Sequence, residues 1–431
     1  MISGRDIICI SSIEWDFLWQ GHQEITSRLA QAGNRVLYIE NTGVRSPGIR
    51  DAKRISWRFK NWLRSLKSHG LREVAPNIYV CSPLVLPPFG TRWRRAINRR
   101  LLLPLIVRSA RLLKMKNPVL WTYLPTDTSL DLVHMLRGPT TCLVYYCVDN
   151  FALLTPKVHA LRESEREMLR ISDVVFTTCP DLAANCLPWN DKVHIFPFGV
   201  DLEAFPFEPE AAINPSEGSN NLGSSSTNGF LGSLPRPIIG YVGGIHAHID
   251  FGLLIEMVRA KPEWSWIFVG ALQVPVGELG ELPNVHFMGQ RPHRSLAEYV
   301  RAFDVCIVPY VNSHYTATVV PTKINEYLAL AKPVVSTDLP AVSEFNREHS
   351  ILQTSTTRPV DFLEAIELAL SLPNDAATLQ RRREVAKLGD WQTRFEAMSE
   401  IINQELQAKE QAGLASQIRT GSGSDRPKIT T

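Results

Sequence analysis

Lys323 and Glu326 stand three residues apart in Pro321-Thr322-Lys323-Ile324-Asn325-Glu326-Tyr327-Leu328-Ala329, a segment that opens with a proline suited to a first helical turn. It runs into Lys332-Pro333-Val334-Val335-Ser336-Thr337, a β-branched stretch of the kind buried in a parallel sheet. This is the build of a diphosphate site. A helix start presents N–H groups and partial positive charge, Lys323 adds a full charge, and Glu326 can accept from the paired hydroxyls of a ribose. The same spacing also suits an ordinary amphipathic helix whose lysine and glutamate face water.

The elements that would position such a site are legible as alternation. From residue 1 to about 205, short apolar runs alternate with helical patterns, which predicts βαβ units on a parallel sheet. The strand candidates there are Ile7 to Ser11, Arg35 to Glu40, Asn77 to Cys81, Val119 to Tyr123, Cys142 to Tyr146, Val174 to Thr177 and His194 to Pro197. Residues 208 to 234 turn to Ser, Asn, Gly and Pro, the composition of a linker. A second series follows at Pro237 to Val242, Trp264 to Val269, Val285 to Met288, Val305 to Pro309, Pro333 to Thr337 and Ser350 to Gln353. The expected class is α/β, with two doubly wound, Rossmann-like domains facing each other across a cleft at the carboxyl ends of their strands. The expected organisation is 1–205, a linker 206–236, a second domain 237–385, a closing helix 386–408 and a disordered tail 409–431.

The Glu326-Tyr327-Leu328-Ala329 turn with Lys332-Pro333-Val334-Val335 resembles the nucleotide-sugar site of GT-B glycosyltransferases of the group-one type. Val193 to Asp201 with Phe205 is similar to that family's inter-domain crossing, and the resemblance covers most of the chain. It implies that Gly243 and Gly244, after the first strand of the second domain, face the donor diphosphate. It further implies that Gln290, in the turn after Met288, lies near the base and that Thr318 lies near the sugar. Thr318 stands where the largest retaining family carries a second glutamate, eight residues before Glu326. Relatives carry a basic residue shortly after the glycines, where this chain has His246. His246 and His248 lack an accompanying carboxylate or cysteine pattern, so no metal site is expected. No Asp-x-Asp triplet occurs either. The expected donor is a nucleoside-diphosphate sugar, with no cofactor and no metal.

In the first domain Asp149 ends a strand, where a carboxylate can take the proton of an attacking hydroxyl, a role worth about 10² to 10⁴ in rate. It equally suits an N-cap. Asp16 and His22, in the loop after the first strand, are the second candidates, again with support from the resemblance.

The seven cysteines are odd in number and scattered, which points to a reduced compartment. Net charge is +3, yet residues 45 to 120 hold eighteen Lys and Arg against Asp51 and Glu73, a surplus of 16. Within them Ile55, Phe59, Trp62, Leu63 and Leu66 form one helical face beside a cationic one, as in an interfacial membrane helix. A second basic group, Arg92 to Arg100, precedes Leu101-Leu102-Leu103. Residues 53–67 and 92–107 are therefore expected to meet an anionic membrane surface, and nucleic acid is not an expected partner. The expected protein is a hexosyltransferase at the cytoplasmic face of the membrane, acting on a lipid-linked saccharide or polysaccharide precursor. The alternatives are a nucleotide-sugar epimerase on the same fold and a catalytically silent partner in polysaccharide assembly.

Overall fold

The computed structural model describes residues 1–16, 19–40, 42, 71–207, 229–313, 316–318 and 321–421. The expected basic helix at 53–67 lies outside them, as does most of the 206–236 linker. The chain divides into two compact units, Met1–Phe196 with Phe395–Thr431, and Pro197–Arg394.

The first unit holds an eight-stranded sheet in the order β3-β4-β2-β1-β5-β6-β7-β8. Its strands are β1 Asp6–Ile10, β2 Arg35–Ile39, β3 Leu71–Ala75, β4 Ile78–Cys81, β5 Val119–Thr122, β6 Leu143–Cys147, β7 Val174–Thr177 and β8 Val193–Ile195. All pairings are parallel except β3 with β4. Strands such as β6 and β7 are buried along their whole length, which is why they read as continuous apolar runs. β3 escaped the sequence reading because it is an edge strand carrying exposed Arg72 and Glu73. It folds back on β4 through Pro76-Asn77, with Asn77 at φ 64°.

The second unit holds six parallel strands in the order β11-β10-β9-β12-β13-β14. These are β9 Ile238–Val242, β10 Ser265–Val269, β11 Val285–Gly289, β12 Val305–Val308, β13 Val334–Thr337 and β14 Gln353–Ser355. The last was expected from Ser350, but Ser350 adopts a left-handed conformation that ends the helix Pro340–His349, so the strand starts later. In both sheets the order reverses at one place, between β1 and β5 and between β9 and β12. The loops leaving the carboxyl ends of those strands are where ligands of such sheets bind.

Three expected boundaries are corrected. The crossing segment belongs to the second unit from Pro197 onward, because Val200 and Phe205 are buried in its core. Val200 is also tied by backbone hydrogen bonds to Gly389 and Trp391. The closing helix runs Trp391–Gly421, so residues 409–421 are helical rather than a disordered tail. Phe395, Met398, Ile402 and Leu406 are its buried stripe. Its polar end is held by pairs that only the fold assembles, Lys409 with Asp173 at 2.9 Å and Arg5 with Glu410 at 2.8 Å. Leu231, expected in the linker, is likewise buried in the second core.

Candidate functional site

In the second unit the site starts from two glycines. β9 passes into Gly243 at φ 133°, and β10 into Gly270 at φ 158°, backbone conformations that favour glycine. The two backbones touch: a Cβ on Gly270 would lie 1.8 Å from the Gly243 carbonyl oxygen. A Cβ on Gly243 would lie 3.0 Å from Lys323 Cε and 3.3 Å from its Nζ. The end of Lys323 therefore rests directly against this glycine turn.

Lys323 begins the helix Lys323–Ala329. Its ammonium donates to Tyr310 Oη and lies 4.8 Å from the ring centroids of both Tyr241 and Tyr310. Both tyrosines are themselves fixed. Tyr241 Oη donates to the Gly244 carbonyl at 3.0 Å and is 3.3 Å from Tyr310 Oη. Among the described residues no carboxylate pairs with Lys323, so its charge is met only by ring faces and a neutral hydroxyl. That leaves a fixed cation able to receive an anion.

His246 completes this cluster. Its Nδ1 accepts from the His248 N–H at 3.2 Å, and its Nε2 lies 3.5 Å from Tyr310 Oη. Burial first, then the Lys323 charge and then His248, push its pKa down to about 4. His246 is therefore neutral at pH 7, and Lys323 is the charge of the cluster. No group of three or more His, Cys, Asp or Glu able to hold a metal occurs among the described residues.

The expected contribution of the helix start is smaller than the sequence suggested. The Ile324 and Asn325 N–H groups already donate to the Pro321 and Thr322 carbonyls, both at 3.1 Å, so the first turn is tightened and two of its donors are engaged.

One turn on, Glu326 Oε1 accepts from His293 Nε2 at 3.1 Å, with the carboxylate side chain 15% exposed. His293 sits in the turn His293–Ser295 and meets Phe205 edge-on at 5.4 Å. Gln290 is exposed in the same loop, just after Gly289 at φ 71°. Thus Lys323, Gly243, Gly244 and His246 gather around the tyrosine pair, and Glu326 meets the loop that carries Gln290. Thr318 lies in the turn Thr316–Thr318. Tyr241, Tyr310 and His293 were missed by the sequence reading. Tyr310, directly after the Val-Pro that closes β12, offered a signal; His293 offered none.

In the first unit Asp149 follows β6 by two residues, and its carbonyl accepts from the Phe151 N–H at 3.1 Å. Asp16 pairs with Arg72 at 2.8 Å, both side chains 42% exposed. His22 opens the helix Gly21–Gln31, is buried, and shares a 2.8 Å hydrogen bond with Ser12 Oγ while its ring lies 4.0 Å from that of Tyr123. Burial pushes its pKa down to about 3, so it is a weak proton acceptor. Gln23 Oε1 accepts from the Gln20 N–H and its Nε2 donates to the Trp15 carbonyl, which holds the loop around Asp16.

Two parallel-sheet Rossmann-like domains of this topology define the GT-B fold, and the fold is shared with solved structures of low sequence identity. Sucrose-phosphate synthase from Thermosynechococcus elongatus superposes with a TM-score of 0.64 at 19% identity, covering 94% of this chain and all of that one. Anabaena HepE in complex with UDP gives 0.63 at 13% identity over 93% of this chain and 100% of that one. Residues 236–371 match the family described as Glycosyl transferases group 1. The chain is 30% identical over 209 residues to the putative teichuronic acid biosynthesis glycosyltransferase TuaH of Bacillus subtilis (strain 168). That match takes in 48% of this chain and 49% of the relative, so the chain spans about half the length of the curated protein it matches. The chain resembles the group 1 glycosyltransferases, and the residues 236–371 that match them include the Lys323 cluster.

Proposed function

We propose that this protein is a glycosyltransferase of polysaccharide biosynthesis that moves a hexose from a nucleoside-diphosphate sugar to an acceptor hydroxyl, without a metal. The acceptor is a lipid-linked saccharide or polysaccharide precursor, met at the cytoplasmic membrane surface. The observation that carries the reading is Lys323, a cation with two aromatic faces and no carboxylate partner among the described residues, seated on the Gly243 turn. A diphosphate beside it would receive charge-assisted hydrogen bonds that strengthen as the leaving diphosphate gains charge. Glu326 binds the ribose hydroxyls, exchanging its His293 hydrogen bond for theirs or sharing it. Asp149 takes the acceptor proton. Further support comes from HepE, solved with UDP, and from the name of the Bacillus relative.

The test is calorimetric titration with UDP, GDP and ADP in the absence of added metal, beside Glu326→Ala. One nucleotide should bind, and the variant should bind it about 10- to 150-fold more weakly, the loss of a hydrogen bond to a charged group. Equal affinity in the variant refutes the ribose assignment. Binding of none of the three would favour the catalytically silent partner over the transferase.

A further inference from the structure

The described part of the basic region carries a surface that the donor site does not use. Between β4 and β5 the chain forms the helix Arg92–Ile97, a π turn Asn98–Leu102 and the helix Leu103–Leu112 in one continuous rod. The π turn has a local cause. Pro104 has no N–H and its ring would crowd the carbonyl four residues back, and the Leu103 N–H bonds to Asn98, five residues back.

This turn decides where the side chains go. In an unbroken α-helix at about 100° per residue, Trp93, Leu101, Leu105 and Leu112 would fan over about 120°. The π turn takes in one extra residue, which returns about 90° and brings all four close to a single line. On the opposite side Leu103, Ile106 and Ala110 are buried against the domain. The lined-up residues are exposed, at 58% for Trp93, 62% for Leu101, 54% for Leu105 and 45% for Leu112. The same geometry places Arg92, Arg100, Arg108 and Arg111 together along one flank, and no Asp or Glu occurs from residue 92 to 116. Among the described residues Asp131 reaches the rod, engaged with Arg95 at 2.8 Å and Arg99 at 3.8 Å, and Asp127 adds to the field at Arg95.

We propose that this row is a docking surface for an anionic lipid leaflet, with Trp93 and the three leucines entering the acyl boundary and the flanking arginines meeting lipid phosphates. Four large apolar side chains brought close to one line by a proline-driven π turn, with arginines along one flank and no acid in the segment, match the charge and layering of such a leaflet. No helix among the described residues is long and apolar enough to cross a membrane. The inference deepens the proposal of a membrane-borne acceptor. It can fail separately, since Glu326→Ala should weaken nucleotide binding and leave vesicle binding unchanged.

The experiment is co-sedimentation of the full chain with vesicles of phosphatidylglycerol and phosphatidylcholine, and with phosphatidylcholine alone. Binding is expected only to the first. Leu105→Ser should lower the partition coefficient about tenfold and Arg100→Gln about fivefold. Quenching of tryptophan fluorescence by brominated lipid should weaken in Trp93→Phe. All three positions are exposed, and an unchanged Tm checks that each variant is folded. Unchanged partitioning in both Leu105→Ser and Arg100→Gln overturns the proposal. So does a change from dimer to monomer in Leu105→Ser without loss of vesicle binding, which would assign the row to a second copy of the chain.

Discussion

Replacing Lys323 by methionine removes the charge of the donor cluster while keeping most of its stem. The ammonium meets a tyrosine hydroxyl and two ring faces, and among the described residues no carboxylate competes with an incoming diphosphate. Two unit charges about 4 Å apart at an effective dielectric near 20 attract by about 4 kcal/mol. Desolvation of both partners reduces the net worth of such a charge-assisted bond to about 1.5 to 3 kcal/mol. The nucleotide that the unchanged protein binds should therefore bind Lys323→Met about 10- to 150-fold more weakly. The free nucleoside, lacking the diphosphate, should bind both proteins alike. Stability should change little, because lost cation–π contacts of about 0.5 to 2 kcal/mol each are offset by relief of a desolvated charge.

An internal reporter shows that the charge itself has been removed. The His246 pKa lies at about 4, with burial the larger cause and Lys323 the next. In Lys323→Met it should rise above about 4 and stay below the ordinary 6.5, because burial remains. Calorimetry gives the affinity and NMR titration of the His246 ring gives the pKa. A His246 pKa that has risen, together with a nucleotide affinity that has not fallen, would refute the argument: the charge would be gone and the diphosphate indifferent to it.

Two further outcomes follow from the first unit. Asp149→Asn should lower the transfer rate by about 10² to 10⁴ with nucleotide affinity unchanged, and a variant that transfers at the original rate removes Asp149 as the base. The buried His22 makes folding sensitive to acid. Its folded-state pKa of about 3 lies below the ordinary 6.5, so the unfolded chain takes up the proton first and the stabilising effect present above about 6.5 is lost as pH falls toward about 3. Urea midpoints across that range should fall less steeply for His22→Gln than for the unchanged protein, and parallel curves would place the acid sensitivity elsewhere.

The amino-acid sequence by itself determined the class of fold and most strand positions. A strand buried on both faces must be apolar throughout, so β6, β7, β9 and β12 declare themselves locally. Lys323 and Glu326 were legible for the same reason, since one helical turn sets their spacing. What tertiary structure alone decided are the pairings across long stretches of chain. His293 meets Glu326 from 33 residues away, Lys323 lies between Tyr241 and Tyr310, and Gly270 must be bare because Gly243 passes over it. The helical end at 409–421 belongs with these, because its polar residues look unstructured until Arg5 and Asp173 supply the opposite charges. The exposed row from Trp93 to Leu112 stands between the two: it spans about 120° on an ideal helix, and the π turn set locally before Pro104 narrows that spread. Local periodicity reports which face of an element is buried, whereas partners distant in the chain are chosen by packing, and packing leaves no periodic trace in the sequence.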